Sequence, residues 1–306
     1  MANSSGLNRT GILSRVTVAA ITAALVGTTT AAVAADAPQR TASAAVQQPS
    51  GNASAFAAES VSDAQVNALY GVDSQGDMYG YAPNSEGTGL EARIYTGYGW
   101  SNAKFITQVD QNHDGSADGI WDVTAGRLSY MPYGGDSVSI GTGWSIYNKV
   151  LSTGQLGGGT ADDLLARDSY GTLWLYLGYG NGKVASRIKV GAGWQIYNQI
   201  AGKGDLSGDG KDDIVARDGA GVLWLYKGTG NYNAPFATRT KIGGGWQIYN
   251  TLVSTGDLDL DGIADLVARD SAGALWLYKG TANSTAPYKP RVKIGTAGWN
   301  TYRIMF

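Results

Sequence analysis

The sequence predicts an all-β fold, a five-bladed β-propeller of four-stranded blades, on three observations. Gly-Trp recurs at Gly99-Trp100, Gly143-Trp144, Gly193-Trp194, Gly245-Trp246 and Gly298-Trp299, a period of roughly 50 residues that belongs to repeat architectures. Each copy carries short runs rich in aromatic and β-branched residues, bounded by Gly and Asp, which read as strands. The chain holds 45 glycines but only 7 prolines. That is about twice the usual glycine share of roughly 7%, and it suits many strands joined by tight turns.

The elements follow in order. Arg9 and Arg15 precede an apolar run from Val16 to Val26, and Ala32-Val33-Ala34 supplies small residues after it. This is the layout of a secretory signal peptide, residues 1–35, cleaved near Ala34. The apolar run is about half the roughly 20 residues that a membrane span needs. Residues 36–60, rich in Ala, Ser, Gln and Thr, read as a disordered linker. The expected propeller occupies residues 61–306 of a secreted chain with no membrane span.

Within the propeller, the first run of each unit is Trp-x-Ile-Tyr-Asn, as in Trp144–Asn148, Trp194–Asn198 and Trp246–Asn250. The second is Ile214-Val-Ala-Arg-Asp218, with counterparts at Leu164–Asp168 and Leu266–Asp270. The third is Leu-Trp-Leu-Tyr at Leu173–Tyr176, Leu223–Tyr226 and Leu275–Tyr278. The fourth is an Arg-x-Lys run ending in Gly, just before Gly-Trp. Between the second and third runs, Asp218-Gly-Ala-Gly221 and its counterparts place Asp first and Gly fourth, which is tight-turn chemistry. The second to fourth runs first appear at Val66–Asp73, whereas the last first run is the C-terminal Trp299–Phe306. The chain therefore starts one strand into a blade and ends with the missing strand, which closes a ring and hides both sheet edges.

Three loops between the first and second runs are acidic: Asp110–Asp118, Asp205–Asp213 and Asp257–Asp265. Oxygen side chains stand at loop positions 1, 3, 5 and 9: Asp110, Asn112, Asp114 and Asp118; Asp205, Ser207, Asp209 and Asp213; Asp257, Asp259, Asp261 and Asp265. Gly fills position 6, and the carbonyl of position 7 (Ser116, Lys211 or Ile263) can add a ligand. Ca2+ takes six to eight hard oxygens, so three Ca2+ sites are expected. The roles of positions 1 to 7 are carried over from the EF-hand loop, which these loops resemble that far. Position 12 is Trp121, Ala216 or Ala268 instead of Glu, and strands flank the loops, so EF-hands are excluded. The middle unit, Gln155–Asp163, keeps only Asp163 and is expected to bind no ion.

These residues resemble the FG-GAP and VCBS repeats of calcium-loop β-propellers, including the integrin-α type, and the Gly-Trp and Leu-Trp-Leu-Tyr segments are similar to those of secreted actinobacterial members. The resemblance implies a calcium-stabilised recognition or assembly module.

Composition narrows the function further. Net charge is -2 with 16% charged residues, which leaves no basic face for nucleic acid. No cysteine is present and only one histidine, so zinc-thiolate, iron–sulfur and cysteine-nucleophile chemistry are excluded. That histidine, His113, sits at loop position 4 and reads as an exposed loop residue. Equivalent pockets on several blades bind weakly one by one and tightly together, which favours recognition of glycans. Trp174, Tyr176, Trp224, Tyr226, Trp276 and Tyr278 are the candidate stacking faces, set against a role in core packing. Two alternatives stand beside this reading. One is a secreted polysaccharide hydrolase or lyase using Asp77, Glu86, Glu91 or Asp136, the acids outside the repeat pattern. The other is a protein-protein adhesion or assembly module whose partner is a secreted or cell-surface protein. Asp168, Asp218 and Asp270 repeat in register and are expected to form turns or pair with the preceding Arg167, Arg217 and Arg269.

Overall fold

The computed structural model describes residues 64–159 and 161–306; the expected signal peptide and linker lie outside the described residues. The described residues form five antiparallel four-stranded sheets arranged as the blades of a propeller. Blade two is β4 (Ala103–Val109), β5 (Gly119–Thr124), β6 (Arg127–Pro132) and β7 (Val138–Thr142). Blade three is β8 (Tyr147–Ser152), β9 (Leu164–Asp168), β10 (Leu173–Tyr176) and β11 (Ile188–Gly191). Blade four is β12 (Tyr197–Ala201), β13 (Ile214–Asp218), β14 (Leu223–Tyr226) and β15 (Thr240–Gly243). Blade five is β16 (Tyr249–Val253), β17 (Leu266–Asp270), β18 (Leu275–Tyr278) and β19 (Val292–Gly295).

Blade one is assembled from both ends of the chain. β1 (Leu69–Asp73), β2 (Met78–Tyr81) and β3 (Ile94–Gly97) are joined by the C-terminal β20 (Tyr302–Met305), in the order β20-β1-β2-β3. Val72 pairs with Ile304 and Gly71 with Met305, and Tyr70 and Phe306 exchange backbone hydrogen bonds. This is the predicted ring closure.

One element differs from the sequence expectation. Trp-x-Ile is not strand but a 3-10 turn, and the strand begins at the following Tyr in blades three to five. The cause is the preceding glycine: Gly143, Gly193, Gly245 and Gly298 have φ of 87°, 91°, 90° and 89°, in a region that disfavours a Cβ. The chain bends sharply there, and the rings of Trp144, Trp194 and Trp246 meet tyrosines of the blade that follows. The backbone N–H groups of Trp100, Trp144, Trp194, Trp246 and Trp299 donate to the carbonyls of Gly76, Gly126, Gly171, Gly221 and Gly273, the turn glycines of those blades.

A cation bridges each blade to the next. Arg167 Nη1 donates to the carbonyls of Trp194 and Tyr197, Arg217 Nη1 to those of Trp246 and Tyr249, and Arg269 Nη1 to those of Trp299 and Tyr302. Asn148, Asn198 and Asn250 orient these arginines by accepting from Nε at 2.8 Å. Blades one and two lack an arginine at that position. There Arg303 reaches Trp100 O and Ala103 O, and Lys104 reaches Tyr147 O, from the innermost strand instead. These arginines thus clamp carbonyls; Asp168, Asp218 and Asp270 are not their ion-pair partners.

The innermost strands of all five blades line an axial channel of about 210 Å³. The Leu-Trp-Leu-Tyr alternation buries both leucines and leaves Trp and Tyr half-buried. Core clusters run from blade to blade, as where Trp121 and Val123 of blade two meet Leu164 and Ala166 of blade three.

Candidate functional site

The acidic loops all leave the inner ends of the blades at one face. They surround a funnel of about 750 Å³ whose lining includes His113, Gln155, Asp205, Lys211 and Leu260. Each loop is wound by its own first carboxylate. Asp110 accepts the N–H groups of Asn112, His113 and Gly115; Asp205 those of Ser207, Gly208 and Gly210; Asp257 those of Asp261 and Gly262. The ninth residue ties the loop to the neighbouring hairpin: Asp213 accepts from Leu206 and Gly228, and Asp265 from Leu258, Asp259 and Gly280. Position 6 has the expected positive φ at Gly115, Gly210 and Gly262, and position 4 shares it: His113 and Leu260 stand at φ 60° and 64°. Left-handed backbone at a non-glycine is costly, and residue type gave no sign of it.

In two loops the side chains converge. Asp205, Asp209 and Asp213, and likewise Asp257, Asp259 and Asp265, place carboxylate oxygens within 4.8 Å of one another. Burial pushes Asp213 and Asp265 up to about 7 and Asp257 up to about 6, because unbalanced charge is expensive there. Asp259 Oδ1 is buried with no hydrogen-bond partner among the described residues, while its Oδ2 meets Lys279 Nζ at 2.8 Å. A cluster of hard oxygens with an unpartnered, inward atom fits a divalent cation. Ser207 and Asp261 lie in the same two loops, with Lys211 and Ile263 at position 7. In the third loop, Asn112 Nδ2 lies between Asp114 Oδ2 and Asp118 Oδ1, at 3.1 and 3.3 Å; Ser116 N donates to Asp114.

The middle loop is built differently. A Cβ on Gly157, its position 3, would lie 2.2 Å from Leu177 Cδ2, so an apolar side chain fills the space that a position-3 ligand takes elsewhere. In blades four and five the counterparts of Leu177 are Lys227 and Lys279, which pair with Asp209 and Asp259.

Position 8 was not anticipated. Asp162 there is buried and accepts from Lys203 Nζ at 2.5 Å, Gln65 Nε2 at 2.9 Å and Asp110 N at 3.0 Å. Asn67 Nδ2 donates to Thr255 O, and Gln65 O accepts from Asp257 N. Residues 64–67 thus cross between the loops of blades five and two and tie four blades together. The doublets Asp162-Asp163 and Asp212-Asp213 were the only sequence sign. Asp212, pushed up to about 7 by burial and then by the charge of Asp162, accepts Gln155 N.

The aromatic candidates divide into two groups. Tyr176, Tyr226 and Tyr278 stack on Trp144, Trp194 and Trp246 at 4.7, 4.7 and 4.5 Å, and their hydroxyls bond those of Tyr147, Tyr197 and Tyr249. Burial raises their pKa. Trp174, Trp224 and Trp276 lie half-buried nearer the rim. Each indole N–H donates to the turn aspartate, Asp168, Asp218 or Asp270, at 2.8–2.9 Å. That donation holds Asp218 and Asp270 below the usual carboxylate range. Arg187, Arg239 and Arg291 lie over these indoles, at 4.2, 4.0 and 4.1 Å from the ring centroid.

Asp77 lies between β1 and β2, Glu86 and Glu91 in the β2–β3 connection and Asp136 between β6 and β7, and none lines the channel or the funnel. No helix among the described residues is long and apolar enough to cross a membrane.

Fold and loops together define a five-bladed β-propeller with acidic loops at one face, two of which could hold a metal ion. A family model described as FG-GAP-like repeat matches residues 205–268, the stretch that holds both carboxylate clusters. A search of curated proteins finds no match. Among solved structures, the chain is similar to a symmetrical protein described for its de novo evolutionary emergence as shaped by folding constraints. That likeness has 14% identity, covers 78% of this chain and 97% of that one, and has a TM-score of 0.55; it speaks to the fold. The chain is also similar to a triple arginine-to-alanine mutant of AofleA from Arthrobotrys oligospora, at 9% identity over 76% of this chain and 69% of that one, TM-score 0.45. A calcium-binding protein, regucalcin, from Agrobacterium tumefaciens is similar at 12% identity over 74% of each chain, TM-score 0.41.

Proposed function

We propose that the protein is a secreted recognition module that binds glycans through sites repeated around the propeller, its acidic loops held by Ca2+. The observation that carries the reading is the threefold repetition of one rim constellation. A half-buried Trp, its turn Asp, an overlying Arg and an inner Tyr hydroxyl recur in blades three, four and five. Repeated weak sites gain avidity on a multivalent surface. The N-terminal pattern of residues 1–35 supports secretion.

Calcium would be held by positions 1, 3, 5 and 9 and the position-7 carbonyl of the Asp110–Asp118, Asp205–Asp213 and Asp257–Asp265 loops. Bound there, it neutralises the crowded carboxylates and stiffens the loops. With a dissociation constant near ~0.1 mM and ~2 mM Ca2+, each site adds about 1.8 kcal/mol of stability. A glycan array at millimolar Ca2+, with elemental analysis of the purified protein, tests both parts. Glycan binding and three calcium ions per chain are expected. Product release from a polysaccharide in the same mixture would move the protein to the enzymes, and a blank array would remove the glycan reading.

A further inference from the structure

We propose that the Arg–Trp sites of blades three, four and five take the carboxylate or sulfate groups of an acidic polysaccharide; the inference rests on the glycan reading and gives it a ligand class. Arg187, Arg239 and Arg291 are exposed. Each spreads its guanidinium over an indole and donates from Nη1 to an inner tyrosine hydroxyl: Tyr147 at 3.2 Å, Tyr197 and Tyr249. Stacking and the tyrosine hydroxyls fix the plane of a group that carries five N–H donors. The side chains are exposed, and a guanidinium held in this way offers the planar fork that matches a carboxylate or sulfate bidentately. No arginine of the set takes part in any of the four ion pairs found among the described residues. Their fixing cost is met before a ligand arrives, which favours binding.

A second cation stands beside each fork. Lys189, Lys241 and Lys293 are exposed and pair in register with Trp174, Trp224 and Trp276, and Lys293 Nζ lies 4.9 Å from the Trp276 ring. Facing these two cations is one carboxylate per site, Asp168, Asp218 or Asp270. Its oxygens are already engaged by turn N–H groups and the indole, so it forms no ion pair with the arginine, and one carboxylate against two cations leaves each site net positive. Blade one has a partial copy, Arg93 over Tyr79 at 4.6 Å with Tyr95 in place of the lysine. Blade two has Ser137 and Ser139 at the two positions and no fork. Charges thus occur as isolated pairs set blade by blade in a chain of net charge -2. That suits a polymer with one anion per sugar or disaccharide. The dense phosphates of nucleic acid need a continuous basic face.

The test is binding of the calcium-loaded protein to immobilised polygalacturonate, chondroitin sulfate and a neutral dextran, with duplex DNA as competitor. Binding to one or both acidic polymers is expected; which of the two separates the carboxylate source from the sulfate source. The triple variant Arg187→Gln/Arg239→Gln/Arg291→Gln is expected to lose at least about a hundredfold in apparent affinity, with an unchanged near-UV spectrum. The triple Arg→Lys variant, which keeps charge but not the planar fork, is expected to fall between. Parent-like binding by either triple variant overturns the proposal, as does competition by DNA at equal charge. Binding to dextran alone overturns it while leaving the glycan reading intact; binding to no polymer here or on the array ends both.

Discussion

Replacing Arg269 by methionine tests what holds the ring shut. Arg269 Nη1 donates to Trp299 O at 2.8 Å and Tyr302 O at 2.7 Å, where the closing strand enters blade one. Nε is held by Asn250 Oδ1 and Nη2 by Thr251 Oγ1, both at 2.8 Å. Arg269→Met keeps much of the apolar stem but strips two carbonyls of a charged donor. Such bonds contribute roughly 1.5–3 kcal/mol each when the partner is left unpaired. Arg269 is only partly buried, so water recovers part of this, and the expected loss is about 2–4 kcal/mol. For a domain of this size 1 kcal/mol moves Tm by roughly 2–4 °C, so Tm should fall by about 5–15 °C, followed by near-UV circular dichroism at fixed Ca2+. Arg217, 7% exposed, makes the equivalent bonds between blades four and five, and Arg217→Met should cost more because water reaches its carbonyls less. A fall of less than about 2 °C in both variants would refute the clamp argument.

Three further outcomes are expected. Deleting Asn300–Phe306 removes β20 and the buried Tyr302 and Phe306 and exposes the edge of β1, so the truncated chain should lose its cooperative melt; a parent-like Tm contradicts ring closure. In calcium-stripped protein, Asp257, Asp213 and Asp265 have folded-state pKa values of about 6 to about 7 against roughly 3.9 unfolded. The folded state then binds more protons, so stability should rise as pH falls from ~7.5 to ~5. With millimolar Ca2+ the trend should reverse, because protons then compete with the ion. Melting curves at pH 7.5 and 5.5 with and without Ca2+ check this, and a calcium-stripped protein that loses stability on acidification would sink it. Gly157→Asp should destabilise by roughly 1–3 kcal/mol through overpacking on Leu177, measured by urea unfolding. Adding Leu177→Ala should recover part of that, and no recovery would show that Leu177 is not the obstacle.

Blade number, strand runs and ring closure were legible because each rests on local, repeated chemistry. Alternation in Leu-Trp-Leu-Tyr, Asp and Gly at fixed turn offsets, and the displaced C-terminal run all act within a few residues. The acidic loops were legible for the same reason. The rest depends on contacts between blades. Arg167, Arg217 and Arg269 looked like partners of the aspartates that follow them, yet successive residues of a strand point to opposite faces, so the arginine reaches the next blade and the aspartate its own turn. Trp-x-Ile read as strand because its residue types are strand formers; the left-handed glycine before it decides otherwise. The ties of Gln65 and Lys203 to Asp162 and of Asn67 to Thr255 join residues far apart in the chain, and no periodicity announces them.

The clamp explains how one wheel can carry blades of unequal character. What each blade presents to its neighbour is backbone: the carbonyls around the 3-10 turn and the turn glycine that receives the Trp N–H. Backbone offers the same geometry whatever side chains it bears, so the donor can come from the second strand, as Arg167, Arg217 and Arg269 do, or from the innermost strand, as Arg303 and Lys104 do. The rim and the loops take little part in that junction. Blade two accordingly lacks the arginine fork and keeps an acidic loop, while blade three keeps the fork and fills its loop with Leu177. The fork and the acidic loop therefore vary independently of each other from blade to blade, while the clamp is kept.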